Sequence, residues 1–322
     1  MPRSVRPGYI CIKKIMQTIL GSGSAIGNLL AKELKNFTNH IRLVARKPVK
    51  VNADDELFPA DLLDKEKVEM AVKGSDVVYL TVGLPYNTRV WEWDWPVIMH
   101  NVVSACLKSN ARLVFLDNVY MYSADEIPRM TETSPLQPPS RKGRVRTQIQ
   151  QIMLDAIADR GLQGLIARSA DFYGPSVANS PLAITVLDEF RKGKKAFWQV
   201  DDSKLHAFTY VPDAARALAM LGNTEDCYGE IWHLPTSSEK LTGKEFITKV
   251  AAELKCKPDY YVFKRWMMKL VGIFVPIVRE LGEMSYQYDR DYAFDSSKFE
   301  NRFSYNPVSY AEGIREMVQA SV

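Results

Sequence analysis

Through the first half of the chain, short apolar runs rich in β-branched residues alternate with stretches whose apolar positions fall three or four apart. The runs at 15–20 (IMQTIL), 41–45 (IRLVA), about 56–58, 77–82 (VVYLTV), 112–116 (RLVFL) and 164–168 (GLIAR) predict strands. The intervening segments 26–36, 65–73, 96–109 and 145–160 predict helices. Strict alternation of this kind predicts parallel βαβ units and an α/β fold with a doubly wound Rossmann sheet. The clearest breaker is 133–143 (TSPLQPPSRKG), too polar and proline-rich for a strand. After residue 175 the pattern loosens. A helix is expected over 181–192, a strand near 206–211, and a further helix opening at Pro212-Asp213, with Asp213 as its cap. Residues 236–290 and 300–322 read as helical and irregular, a smaller lobe over the strand ends. The expected division is discontinuous: 16–175 with about 205–235 and 291–299 in the sheet domain, and about 176–204, 236–290 and 300–322 in the substrate lobe.

The 322 residues suffice for one or two domains, and 46% hydrophobic with 25% charged residues excludes a collagen-like or wholly disordered chain. The formal charge of +4 belongs entirely to a short basic leader over 1–15: Arg3, Arg6, Lys13 and Lys14 have no acid among them. The remaining body balances at 38 cations against 38 anions. No nucleic-acid or membrane partner is therefore expected, since either needs a basic face on the folded body. Cys11, Cys106, Cys227 and Cys256 lie far apart with no CxxC pair, and the four histidines show no ligand spacing. That predicts neither a metal site nor a disulfide framework, and a reducing cytoplasm is the default location. The apolar stretch 266–278 (WMMKLVGIFVPIV) is too short to span a bilayer and reads as a buried helix or a lid packing on substrate.

The strongest local signal is the run Gly21, Ser22, Gly23, Ser24, Ala25, Ile26, Gly27, directly after a strand and opening a helix. Such a turn lets backbone N–H groups approach a pyrophosphate at the positive end of the helix; the bland alternative is a tight turn that packs helix on sheet. Ser24 stands where an inner glycine is usual, which leaves a serine hydroxyl to reach the phosphate. No acid occurs between Glu33 and Asp54, where a free ribose 2′-hydroxyl would need one. Arg46 and Lys47 at the end of the second strand offer charge to a 2′-phosphate instead, which favours NADP(H) over NAD(H).

From about residue 16 to 310 the chain resembles an atypical, extended short-chain dehydrogenase/reductase of the NAD-dependent epimerase/dehydratase type. The matching pieces are GSGSAIG (21–27), AD-L (60–62), SDVVYLTVG (75–83), RLVFLDNVYMY (112–122), RSADFYGP (168–175), FTYVPDAARAL (208–218) and DSSK (295–298). The resemblance implies a Rossmann domain carrying the cofactor and a small C-terminal lobe over the substrate. It places Asp61 and Leu62 near the adenine, Val82 and Gly83 beside the cofactor ribose, and 168–173, with Ala170 and Asp171, near the nicotinamide. Tyr122 is a packing residue in such proteins.

The departure lies where the chemistry should be. The family pattern has a Ser or Thr after the fifth strand, then a Tyr and a Lys four residues apart on the next helix. Aligned by Val119–Tyr122 and Pro138–Ser140, those positions read Asn118, Lys142 and Arg146. At i and i+4 the two cations share one helical face. Arg146 can hydrogen-bond the ribose, Lys142 can act as an acid/base group if burial depresses its pKa, and Asn118 can polarise a carbonyl. Tyr86 and Tyr120 are the phenols expected to reach the pocket. Trp91, Trp93 and Trp95 line that pocket or pack in the core. The run 141–146 holds four cations and no acid, which suits an anionic substrate or marks a solvated helix start. These readings support an NADP(H)-favouring oxidoreductase or isomerase of a small polar carbonyl or sugar-type metabolite. The alternative is a catalytically silent NADP(H) sensor; C4 epimerisation of a sugar nucleotide suffers most from the missing tyrosine. A homodimer is left open.

Overall fold

In a computed structural model of the chain, residues 15–177 and 180–320 are described, so the leader lies outside them, Ile15 apart. The first half alternates as expected: β1 (Met16–Leu20), α1 (Ala25–Leu34), β2 (His40–Ala45), β3 (Glu56–Pro59), α2 (Lys65–Val72), β4 (Val77–Leu80), α3 (Thr88–Ser109), β5 (Arg112–Asp117), α4 (Arg141–Arg160), β6 (Gly164–Arg168). Two boundaries move outward. α3 starts eight residues before its expected position, with the Asn87 side chain accepting from the Val90 N–H. α4 starts inside the proline-rich breaker, because Ser140 caps the Gly143 N–H at 3.0 Å.

The second half holds β7 (Asp171–Tyr173), a π-helical turn (Ala183–Leu187) running into α5 (Asp188–Arg191), β8 (Ala196–Gln199), β9 (Phe208–Tyr210), α6 (Val211–Gly222) and β10 (Ile231–His233). It continues with α7 (Gly243–Glu253), β11 (Tyr260–Phe263), α8 (Arg265–Phe274), α9 (Pro276–Glu283), α10 (Ser297–Phe303) and α11 (Tyr310–Ala320).

Seven parallel strands form the main sheet in the order β10-β6-β5-β4-β1-β2-β3. The apolar runs are nearly continuous because both faces are covered. Leu20, Val78, Leu80, Leu113 and Phe115 face α2, α3 and α4. Ile19, Val77, Tyr79 and Val114 face α1, α6 and α10. The chain winds outward from β1 to β3 and then returns to β4 on the other side of β1. That reversal leaves a crevice at the carboxyl ends of β1 and β4, where ligands bind in open α/β sheets.

Two small parallel pairs, β7 with β9 and β8 with β11, lie outside the main sheet. Neither β8 nor β11 was expected in the loosely patterned second half. Asp213 is not a cap. It sits three residues into α6, buried, and accepts from the Tyr305 hydroxyl (2.7 Å) and the Val308 N–H (2.8 Å), tying the C-terminal segment to the sheet. Burial raises its carboxyl pKa against those bonds.

The stretch 266–278 is not a buried helix. It forms α8 and α9, in which only Met268 and Gly272 are buried. What holds it down is polar, the carboxylates of Glu280 and Glu283 described below, so the apolar side chains are free to face outward. Among the described residues no helix is long and apolar enough to cross a membrane.

Candidate functional site

The glycine turn sits at the crevice. Gly21 and Gly23 have φ of +107° and +91°, conformations that glycine adopts at no steric cost. A Cβ on Gly21 would come within 2.4 Å of the Val82 nitrogen, so β1 and β4 pass closely there. A Cβ on Gly23 would meet nothing within 4 Å, so its free side opens outward. The Ser24 hydroxyl caps α1: it accepts from the Gly27 N–H and donates to the Gly21 carbonyl, both at 3.1 Å. The orphan is Ser22, whose buried hydroxyl has no partner among the described residues. The first N–H groups of α1, on Ala25 and Ile26, have no intrahelical acceptor. These donors and the open side of Gly23 fit a pyrophosphate. Gly23→Val is expected to lower stability by only about 1–2 kcal/mol through backbone strain. Dinucleotide affinity should fall at least about tenfold, because the new methyls fill the phosphate approach. A fluorescence titration beside a thermal melt separates the two effects.

Arg46 and Lys47 follow β2 directly; both are exposed and have no carboxylate partner among the described residues. Asp61 is exposed and accepts from the Leu63 N–H at 3.0 Å, a local turn, while Leu62 is buried. Val82 and Gly83 follow β4, and a Cβ on Gly83 would meet open space.

At the other end of the crevice, Asn118 and Tyr120 follow β5. The Asn118 side-chain oxygen accepts from the Tyr120 N–H at 3.0 Å, while its amide nitrogen has no partner among the described residues. Tyr86, after β4, brings its hydroxyl within 3.4 Å of that of Tyr120. Trp91 stacks on Tyr120 (6.1 Å) and meets Tyr86 edge-on (5.8 Å), which fixes both rings. Burial, then the neighbouring phenol, pushes the Tyr86 pKa well up; burial, then the Asp171 charge, does the same for Tyr120. Both therefore remain protonated donors at neutral pH.

Lys142 is fully buried. Its ammonium lies 4.7 Å from the Tyr86 ring centre and donates to the Thr88 hydroxyl (2.9 Å) and to the carboxylates of Glu280 and Glu283 (2.8 Å to the latter). Burial alone would raise those two carboxyls. Hydrogen bonds from Lys142 and Thr88 outweigh it and hold both below the usual carboxylate range. Arg146 is bound to Asp117 (Nε to Oδ1, 2.6 Å) and lies 4.4 Å from the Trp95 ring. Arg141 pairs with Glu92. Three of the four cations that suited an anionic substrate thus already carry carboxylates; only Arg144 is exposed without one among the described residues. Trp91 and Trp95 form the aromatic bed of this cluster, and Trp93 points to solvent.

A family model described as "NAD dependent epimerase/dehydratase family" matches residues 18–232. The chain belongs to that family. No curated protein matches it in sequence. Solved structures of the same fold include the UDP-N-acetylglucosamine 4-epimerase from Bacillus cereus, 16% identical over 95% of this chain and 96% of that one, TM-score 0.75. Another is a dTDP-glucose 4,6-dehydratase from Streptomyces venezuelae with NAD bound, 16% identical over 95% and 96%, TM-score 0.76. A third is the Thermus thermophilus UDP-glucose 4-epimerase in complex with NAD, 19% identical over 95% and 98%, TM-score 0.75.

Within this epimerase/dehydratase frame, two polar clusters escaped the sequence reading. Asp171, on β7, accepts from His206 Nε2 (2.9 Å) and lies 3.3 Å from the Tyr288 hydroxyl. The His206 ring is stacked between Tyr288 (4.6 Å) and Tyr292 (4.4 Å). Ala170, buried beside it, donates its N–H to Thr209. The second cluster is Tyr122, which packs as expected but also accepts from fully buried Arg168 and donates to His233 Nε2 at 2.6 Å. No spacing rule joins 171 to 206 or 122 to 233; the sheet brings them together. Among the described residues no group of three or more His, Cys, Asp or Glu could hold a metal ion. A cavity of about 370 Å³, lined by Arg129, Thr131, His206 and Glu239 among others, includes no residue of the glycine turn.

Proposed function

We propose that this chain is a nicotinamide-dependent oxidoreductase or isomerase that prefers NADP(H) and acts on a small polar carbonyl or sugar-type metabolite. The observation that carries the reading is the pair of protonated phenols, Tyr86 and Tyr120, beside the Asn118 amide nitrogen, which has no partner among the described residues, at the carboxyl ends of β4 and β5. The nicotinamide, when bound, supplies or accepts hydride. Ser22 and the N–H groups of Ala25 and Ile26 would bind the pyrophosphate, and Arg46 with Lys47 the 2′-phosphate. Asp61 and Leu62 would flank the adenine, Val82 and Gly83 the ribose, Ala170 and Asp171 the nicotinamide. Asn118 orients the substrate carbonyl by donating to its oxygen, and Tyr86, with the Lys142 charge against its ring, turns its hydroxyl from the long bond it donates to Tyr120 and gives that oxygen a proton. Arg146 and Lys142 serve as the fixed frame of this site. The lobe built from about 176–204, 236–290 and 300–322 covers the substrate.

A second reading, a catalytically silent NADP(H) sensor, is favoured by one fact: both cations of the replaced pair are committed to carboxylates, Lys142 to Glu280 and Glu283, Arg146 to Asp117. One experiment separates the two. NADPH and NADH are titrated by fluorescence against the wild type and Arg46→Ala, and carbonyl substrates are screened with NADPH against the wild type and Tyr86→Phe. NADPH should bind more tightly than NADH, and Arg46→Ala should weaken NADPH by about tenfold or more while sparing NADH. Turnover abolished by Tyr86→Phe supports the enzyme; tight binding without turnover of any substrate supports the sensor. Binding of neither nucleotide sinks both, and an NADH preference refutes the role given to Arg46.

A further inference from the structure

The outward side of α8 and α9 has no explanation in that chemistry. Phe274 is 83% exposed and Ile273 69%, and Trp266, Leu270 and Ile277 are exposed with them. On α8 the positions 266, 270, 273 and 274 fall at i, i+4, i+7 and i+8, which places them on one stripe. A monomer rarely leaves so many adjoining large apolar side chains in water unless the surface seats something. The two helices approach closely where they meet, since a Cβ on Gly272 would come 3.1 Å from the Arg279 backbone. The inner side of α9 is fastened by Glu280 and Glu283 to Thr88 and Lys142. The stripe is therefore presented on a braced element.

Charge decides what fits it. Residues 264–279 contain four cations, Lys264, Arg265, Lys269 and Arg279, and no acid. Arg265 pairs with Asp289 at the base, and Lys264 forms no ion pair but lies within electrostatic reach of Asp201; Lys269 and Arg279 are exposed with no carboxylate partner among the described residues. Glu280 and Glu283, the next acids, are turned inward. A second copy of the chain meeting this face two-fold would set these cations against themselves with no acid between them, which is unfavourable. An apolar stripe with Trp and Phe, bordered by unpaired cations, has the composition of a helix that lies in a membrane interface beside anionic headgroups. We infer that α8 and α9 dock the protein onto an anionic lipid surface, with Trp266, Leu270, Ile273, Phe274 and Ile277 entering the interface and Lys264, Lys269 and Arg279 against the headgroups. The neutral sum of the whole body concealed this, because binding depends on the local charge of the face that meets the lipid. The inference is independent of the reaction proposed above.

The test is co-sedimentation of the full chain with extruded vesicles, of phosphatidylcholine alone and of phosphatidylcholine mixed with phosphatidylglycerol. Binding is expected to the mixed vesicles and to weaken with added salt. The exposed double variant Ile273→Glu, Phe274→Glu should reduce it by about tenfold or more, as should Lys269→Glu with Arg279→Glu, both with thermal melts close to the wild type. Four results would overturn the assignment: sedimentation with neither vesicle, equal sedimentation with both, sedimentation unaffected by the apolar double variant, or a concentration-dependent oligomer that this variant dissolves in the absence of lipid binding.

Discussion

Arg146→Met is expected to destabilise the fold by roughly 3–5 kcal/mol, because it strands a carboxylate in the core. Asp117 is 2% exposed and Arg146 3%. One Asp117 oxygen takes the guanidinium and the Asn118 N–H at 2.8 Å, and the other has no partner among the described residues. The other cation at hand is Arg168, opposite Asp117 in the β5–β6 register, but its two terminal nitrogens already donate to Tyr122 and Gln150. Met keeps most of the volume over Trp95 and Phe115, 4.4 and 5.2 Å from the guanidinium, so a packing defect contributes little to the loss. The double variant Asp117→Asn, Arg146→Met should recover most of the stability, since neither charge is then left alone. Urea unfolding followed by tryptophan fluorescence measures all three proteins. A single variant within about 1 kcal/mol of the wild type would show that Asp117 finds water or another donor. The double variant also reports on function: unchanged NADPH affinity marks Arg146 as structural, and its loss restores the ribose-binding role that the sequence offered.

What the chain makes legible follows from how local each signal is. Apart from the exposed edge strand β3, the strands from β1 to β6 could be read because both faces of the sheet are covered, so residues such as Ile19 and Leu20 are both apolar although they point to opposite sides. The glycine turn could be read because its φ values constrain residue type within seven positions. β8 and β11 escaped because four residues each, paired across more than sixty positions, leave no periodicity to detect. The reaction end was half legible. Alignment put Lys142 and Arg146 on one helical face, and the structure agrees. Their charges looked free because their acids are remote: Glu280 and Glu283 lie 138 and 141 residues beyond Lys142, and Asp117 lies on β5, 29 residues before Arg146. The same remoteness made 266–278 read as a buried helix or a lid packing on substrate. An apolar run reads as buried unless it is known that the anchoring of the segment is done by two glutamates at its end.

Acid should weaken this protein from about pH 6.5 downward, and His233 is the reason. Burial, above all, with the Arg168 charge nearby, holds its pKa at about 3 against an ordinary 6.5. Its two ring nitrogens are both occupied: Nδ1 donates to the Asp295 carbonyl at 2.7 Å and Nε2 accepts from Tyr122, with Phe294 stacked at 4.0 Å. A second proton has no site in the folded state, because Tyr122 already receives a hydrogen bond from Arg168 and must donate its own to the ring. Between these two values the unfolded chain binds a proton that the folded chain does not. Stability therefore falls as pH drops, by about 1.4 kcal/mol per unit, starting below about pH 6.5 and continuing toward about pH 3. The carboxylates of Glu280 and Glu283, held low by Lys142, add their own loss only below their unfolded range. His233→Gln separates the two limbs. It lowers stability at neutral pH by removing the stacked ring, and it should flatten the slope between about pH 6.5 and about pH 4.5 while leaving the steeper acid limb in place. Urea midpoints across that window, converted to free energies, give the slope directly. An equal slope in the variant would mean that His233 takes up its proton without unfolding, and that the Tyr122, His233 and Arg168 cluster admits the water or rearrangement that a second ring proton requires.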